Sequence, residues 1–356
     1  MSRNSSTLLR LELILKPLIV LKKIATFDLS TKRPYKYLIF FLFSWKLFLV
    51  IMEIYLFHAL LPNMERLHSR VMEKYTSFIV HCLNISTHVV SLFSNSSSYL
   101  KYCDKIFWKY KITTRKAFFL KLRWCMLIEF LAEESVLLCR LIMIFKAPQM
   151  TVVMYMQTLC FVHSEILLSV NISEFSFSLI TLALSADIFD KKFQNTSMAQ
   201  SITCYIGFIK EVRICCKMIL GNFSNIVVFT LFQYFFMVTY TILALKIDTE
   251  GELQPEDFKY YWIGLSIFRV LKIISACCFL TVVNDQMLDY LKISSPKMCT
   301  RDKKEVHWFF LGLLHEPHLM EIKSSLVLNG ALLFSALSSI TTYAVILLQL
   351  DEDQNY

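Results

Sequence analysis

The strongest constraint on this chain is a set of long apolar runs that almost nothing interrupts. Of its 356 residues 56% are hydrophobic, and only 6 Gly and 7 Pro break the pattern. Mean hydropathy is +0.51. A soluble domain of this length carries more charge and more turn residues. In a bilayer every backbone N–H and C=O must be satisfied inside the crossing segment, so long apolar runs become helices. A span needs about 20 apolar residues. Seven runs qualify: 38–61, 76–94, 125–145, 150–184, 226–245, 261–283 and 326–350. The expected fold is an all-α integral membrane protein with seven transmembrane helices. The fourth run is the longest and is expected to leave the bilayer as one continuous helix. A shorter amphipathic stretch, 306–315, is expected to pack as a helix beneath the membrane.

Charge in the connecting segments sets the direction of insertion. Eight basic residues precede the first span: Arg3, Arg10, Lys16, Lys22, Lys23, Lys32, Arg33 and Lys36. The second, fourth and sixth loops are also basic, and these segments together hold twenty-seven Lys and Arg. The opposite side holds six: Arg66, Arg70, Lys74, Lys146, Lys246 and Lys259. The expected N-terminus is therefore cytoplasmic and the C-terminus extracellular. A G-protein-coupled receptor has the reverse orientation. This chain also lacks an Asp-Arg-Tyr after the third span and an Asn-Pro-x-x-Tyr in the seventh.

No nucleotide loop, catalytic triad or zinc motif occurs, so no enzyme chemistry and no cofactor are expected. The net charge of +9 fits cytoplasmic loops and membrane lipids rather than nucleic acid. Lys16, Lys22 and Lys23 interrupt the first apolar stretch too early for a cleavable signal. The eleven Cys are scattered. Cys125, Cys139, Cys160, Cys277 and Cys278 fall in apolar runs and are expected to be reduced core residues. His81, His88 and His163 have no second ligand one turn away and are expected in the core. Asn-x-Ser/Thr occurs at Asn4, Asn84, Asn95, Asn171, Asn195 and Asn222, all cytoplasmic or in or beside spans, so most are expected unglycosylated.

The last run carries Ser335, Ser338, Thr342, Val345 and Gln349 at spacings of 3, 4, 3 and 4. That periodicity puts them on one helix face. Leu332, Leu333, Ile340, Ile346 and Leu347 cover the others. Uncharged hydroxyls and an amide can replace part of an ion's hydration shell without binding it tightly. The same small-residue spacing also suits close packing between membrane helices. Asp351, Glu352 and Asp353 follow and would attract cations to an outer mouth.

Thr342-Tyr343, five hydrophobic residues, Gln349 and Leu350 resemble the Thr-Tyr-five-hydrophobics-Gln-Phe signature of insect gustatory receptors. The approach at 326–333, the 309–315 segment and Leu15-Lys16-Pro17-Leu18 are similar to that family too. Leu350 stands where the family has Phe. The resemblance implies a tetrameric ligand-gated, non-selective cation channel in the plasma membrane of sensory neurons. Subunits would be identical or related, and the last helix of each would line a central pore gated at Gln349 and Leu350. It divides the chain into a cytoplasmic segment (1–36), a six-helix ligand-sensing transmembrane domain with cytoplasmic helix extensions (37–283), a cytoplasmic anchor (284–325), a pore helix (326–350) and an extracellular tail (351–356). The expected partners are permeating cations, membrane lipids and a small-molecule tastant. Ala344 occupies the place where sugar-sensing members often carry Glu, which favours a bitter or plant-derived compound. An odorant-receptor subunit that needs a co-receptor is the alternative. A polytopic transporter would show inverted repeats or broken helices at mid-membrane, and neither is visible.

With this topology, a pocket would draw on Glu53, His58, Arg140, Tyr155, Gln157, Gln233, Tyr240, Trp262, Ser266 and Arg269 in the outer halves of the spans. Aromatic rings with a few polar groups suit a small-molecule site. Charged residues inside spans face a cavity or the protein interior. Glu133 with Arg140, or Glu53 with Arg269, equally suit buried structural pairs.

Overall fold

The computed structural model describes residues 6–25, 97–145, 152–195, 202–248, 257–315, 318–322 and 326–329. It also describes scattered helical positions at 44–55, 86 and 331–346. The helices are α1 (Leu11–Ala25), α2 (Ser97–Lys109), α3 (Lys116–Phe145), α4 (Val152–Asn195), α5 (Ile202–Asp248), α6 (Asp257–Ser294) and α7 (Thr300–Leu314). Two short antiparallel ribbons join them: β1 (Ser6–Leu8) with β2 (Thr113–Arg115), and β3 (Glu321–Ile322) with β4 (Leu326–Val327).

The architecture is all-helical and compatible with an integral membrane protein. The stretches Val162–Gln194, Ile202–Phe235 and Gly264–Ser294 of α4, α5 and α6 are long and apolar enough to cross a bilayer. Third-span residues 125–145 lie in α3, whose outer face is apolar and uncovered. Trp124, Ile128, Leu131, Leu138 and Ile142 are all exposed at spacings of three, four or seven residues. Leu47, Phe48, Ile51 and Tyr55 of the first expected span are likewise exposed and helical. Water would penalise such stripes, whereas lipid covers them.

The run expected as the fourth span lies in one unbroken 44-residue helix, as its apolar length implied. At 1.5 Å per residue that helix is about 66 Å long, roughly twice the hydrocarbon thickness. Most of the fourth connecting segment, 185–225, is helix, because α4 runs to Asn195 and α5 starts at Ile202. The run expected as the fifth span, 226–245, is the second half of that longer α5.

The expected start of the last span needs correction. Leu326 and Val327 form a strand against Glu321 and Ile322. The helix begins only after Asn329, whose side-chain oxygen accepts from the Leu332 N–H at 3.1 Å. That is an N-cap. The amphipathic stretch 306–315 forms most of α7, with Val306 and Phe309 buried and Trp308 exposed.

Central in the bundle, α4 packs against α1, α3, α5 and α6. Its buried polar side chains are satisfied partly by their own helix. Asn171 Nδ2 donates to the Leu167 carbonyl (2.8 Å), Ser178 Oγ to Glu174 (2.6 Å) and Ser185 Oγ to Leu182 (2.6 Å). This back-bonding lets hydroxyls and amides occupy an apolar interior.

In the segments expected as a basic N-terminal tail and a basic second loop, the described residues 6–25 and 97–115 include two helices, α1 and α2, each bonded to Glu174 of α4. In α1, Leu11, Ile14, Leu15 and Leu18 are fully buried, while Lys16 stays outside. Asp104 of α2 accepts from the Leu11 N–H at 2.6 Å and so caps α1 from 93 residues away. Burial pushes the Asp104 carboxyl above the ordinary carboxylate range, while the capped amides of Leu11 and Glu12 draw it down. Asp104→Ala is expected to cost about 1 kcal/mol, as other caps do. Faster hydrogen exchange of the first α1 amides would report it; unchanged exchange would count against the cap.

α2 closes with the Ile112 N–H on the Phe107 carbonyl (2.9 Å) and the Lys111 N–H on Trp108 (3.1 Å). Lys111 sits at φ 49°, the left-handed position of a Schellman motif. At the basic end of the bundle, Phe189 and Phe193 of α4 stack on Tyr205 and Phe208 of α5. The tightest pair, Phe189 with Phe208, has ring centroids 3.9 Å apart.

Candidate functional site

A chain of buried ions runs through the centre of α3–α6. The α6 guanidinium of Arg269 is 3% exposed and lies between Glu133 of α3 and Glu165 of α4, at 0% and 1%. Its Nε donates to Glu133 Oε1 at 2.6 Å and its Nη1 to Glu165 Oε2 at 2.5 Å. Nη2 reaches the Glu165 carbonyl at 3.4 Å. Gln233 of α5 donates to the other Glu165 oxygen at 2.7 Å. One turn away on α6, Lys272 pairs with Glu129, lies 3.6 Å from Glu133 and donates to Ser173 Oγ at 2.6 Å.

The register follows from antiparallel α3 and α6. Stepping four residues back from Glu133 to Glu129 matches stepping three forward from Arg269 to Lys272. A single planar guanidinium can serve two carboxylates at once because its donors are fixed in a fork. The desolvation of so many charges is offset only when every partner is in place.

Further along α4, Glu174 forms a second buried centre. Lys22 of α1 donates to it at 2.9 Å and Tyr99 of α2 at 2.7 Å. Lys22 also lies over the Phe223 ring, 5.4 Å from its centroid.

Of the ten residues expected in a pocket, two are brought together: Gln233 and Arg269 converge on Glu165, which was not among them. Ser266, one turn before Arg269, is buried as well. Arg140, Tyr155, Gln157, Tyr240 and Trp262 lie on α3, α4, α5 and α6, with their side chains outside the described residues. Glu53 and His58 lie outside the described residues. Arg269 pairs with Glu133 and Glu165, while the other members of the expected pairings Glu133–Arg140 and Glu53–Arg269, the Arg140 side chain and Glu53, lie outside the described residues. Cys125 and Cys139 are corrected, since both are exposed on the outer face of α3. Cys103, Cys215, Cys216 and Cys277 are buried free thiols, with the first two sulfurs 3.2 Å apart.

No family of known proteins and no characterised protein matches the chain.

The last helix presents the second candidate surface. Ser335, Ser338, Thr342 and Val345 are helical and exposed within a single chain. Phe334, Ser339, Thr341 and Ile346 are exposed too, and Leu332 alone among its described positions packs against the core. Thr342 Oγ1 donates to the Ser338 carbonyl at 2.9 Å. That bond satisfies the hydroxyl proton inside the helix and leaves the oxygen facing outward as an acceptor. Tyr343, Gln349 and Leu350 lie outside the described residues.

Proposed function

We propose that this chain is a seven-span chemoreceptor of the insect gustatory-receptor type and is itself a ligand-gated, weakly selective cation channel. Four copies surround a central axis, with the N-terminus in the cytoplasm, the C-terminus outside and one last helix per subunit lining the pore. A bitter or plant-derived tastant binds in the outer half of the six-helix domain. It draws the outer ends of the last helices apart and widens the ring at Gln349 and Leu350. The site of action is the plasma membrane of sensory neurons.

The observation that carries this reading is the state of the last helix. Its small polar face (Ser335, Ser338, Thr342) and the apolar Phe334, Val345 and Ile346 are all exposed in the single chain. A helix with hydroxyls on one side and lipid-like side chains on the others suits a water-filled axis shared with other copies. The outward Thr342 oxygen is an acceptor, as a cation path requires.

The oligomeric state of the chain purified in mild detergent tests the proposal. Native mass or particle symmetry is expected to give four copies around one axis. A stable, well-folded monomer would overturn the homomeric channel.

A further inference from the structure

A cleft of about 670 Å³ opens between α1 and α3. Its walls are apolar, from Leu13 and Val20 of α1 and Leu127 and Leu131 of α3. Lys16 and Arg123 are the charged residues lining it, and neither is ion-paired among the described residues. We propose that this cleft binds one anionic phospholipid of the cytoplasmic leaflet, with the phosphate held by Lys16 and Arg123 and an acyl chain along Val20, Leu127 and Leu131.

Three observations select this occupant. The first is charge: two cations without acidic neighbours in the lining complement a phosphodiester and repel a cationic peptide. The second is depth. Arg123 lies two residues before the third apolar run, on the side that the loop charges mark as cytoplasmic. Trp124 beside it is 62% exposed, as an interfacial Trp is. Leu127 and Leu131 follow one and two turns along, so the cleft continues about 12 Å from the basic residue towards the hydrocarbon. The third is continuity, because Leu131 belongs both to the cleft and to the exposed stripe of α3. The cleft therefore opens onto lipid, and an acyl chain can enter sideways. α1 meets the core through Leu11, Ile14, Leu15 and Leu18, which leaves its Lys16 side for the ligand. The inference rests on the membrane orientation and not on channel activity.

Native mass spectrometry of the full chain in mild detergent tests it, with phosphatidylserine or phosphatidylcholine added. A preference of about thirtyfold for phosphatidylserine is expected, equivalent to roughly 1 kcal/mol per basic residue near the surface. The double variant Lys16→Ala/Arg123→Ala should lose that preference, and Lys16→Arg/Arg123→Lys should keep it. Soluble glycerophosphoserine should not compete. Competition by that headgroup alone would make the cleft a free-phosphate site and overturn the proposal, as would equal retention of both lipids. Should the double alanine variant fail to fold, Leu127→Trp fills the cleft and leaves both charges. It should displace phosphatidylserine, and undiminished retention would overturn the proposal.

Discussion

Arg269→Ala is expected to destabilise the bundle by about 3–5 kcal/mol, the cost of removing one partner from a buried ion pair. The substitution strands two carboxylates, because Glu133 and Glu165 are 0% and 1% exposed and both lean on the one guanidinium. Lys272 touches Glu133 only at 3.6 Å and is already engaged by Glu129 and Ser173. It cannot replace Arg269 at Glu165. Arg269→Lys should recover only part of the loss, since an ammonium is a point donor and cannot hold two carboxylates in a fork. Neutralising the stranded acids should recover more, so the triple variant Arg269→Met/Glu133→Gln/Glu165→Gln is expected to melt above Arg269→Ala. Thermal melting of the purified protein, followed by tryptophan fluorescence, checks the series. If Arg269 instead served chiefly as a ligand contact, Arg269→Ala would leave the melting curve in place and weaken only the ligand response.

The apolar cores of α3 to α6 were legible because they depend on local composition, whereas the full lengths of α5 and α6 and the helices α1 and α2 were not. The 35-residue apolar run at 150–184 already implied a helix longer than a bilayer, and α4 is that helix. The amphipathic stretch before the last span was legible for the same reason. Partners far apart in sequence were not. Lys22 looked like one more charge of a basic tail, yet it is buried on Glu174, 152 residues away. Asp104 caps α1 from a segment that read as a cytoplasmic loop. Arg269 stood out as an intramembrane charge, but its partners lie on two other helices, and sequence spacing along one helix cannot point across a bundle. One signal was present and unused. Glu165, Ser169, Ser173 and Ser176 recur at spacings of 4, 4 and 3 along α4, and all four are buried. A polar stripe inside the longest apolar run marks the helix against which the others satisfy their charges.

Ser338→Cys is expected to make the ligand-evoked current sensitive to a cationic thiol reagent, with at least about a tenfold fall after modification. Four copies of one position at one level of a narrow axis would place four fixed positive charges in the cation path. At close range in a low-dielectric pore each repels a permeating cation by several kcal/mol, and about 1.4 kcal/mol already corresponds to tenfold. Ile340→Cys, on a face expected to meet lipid or a neighbour, should give a current that the reagent leaves unchanged. The parent chain supplies the control, because Cys125 and Cys139 are exposed but lie on α3, outside the expected pore. Gln349→Ala should raise basal leak or change unitary conductance, since it would remove the amide from the ring proposed to gate the pore. If the Ser338→Cys current survives modification and Gln349→Ala behaves as the parent, then Ser335, Ser338 and Thr342 pack against another helix. Their spacing of 3 and 4 would then serve close helix contact, in which small side chains let backbones approach. The two outcomes use the same residues and differ in whether water reaches them, so reagent access to Ser338→Cys decides between a pore and a packing face.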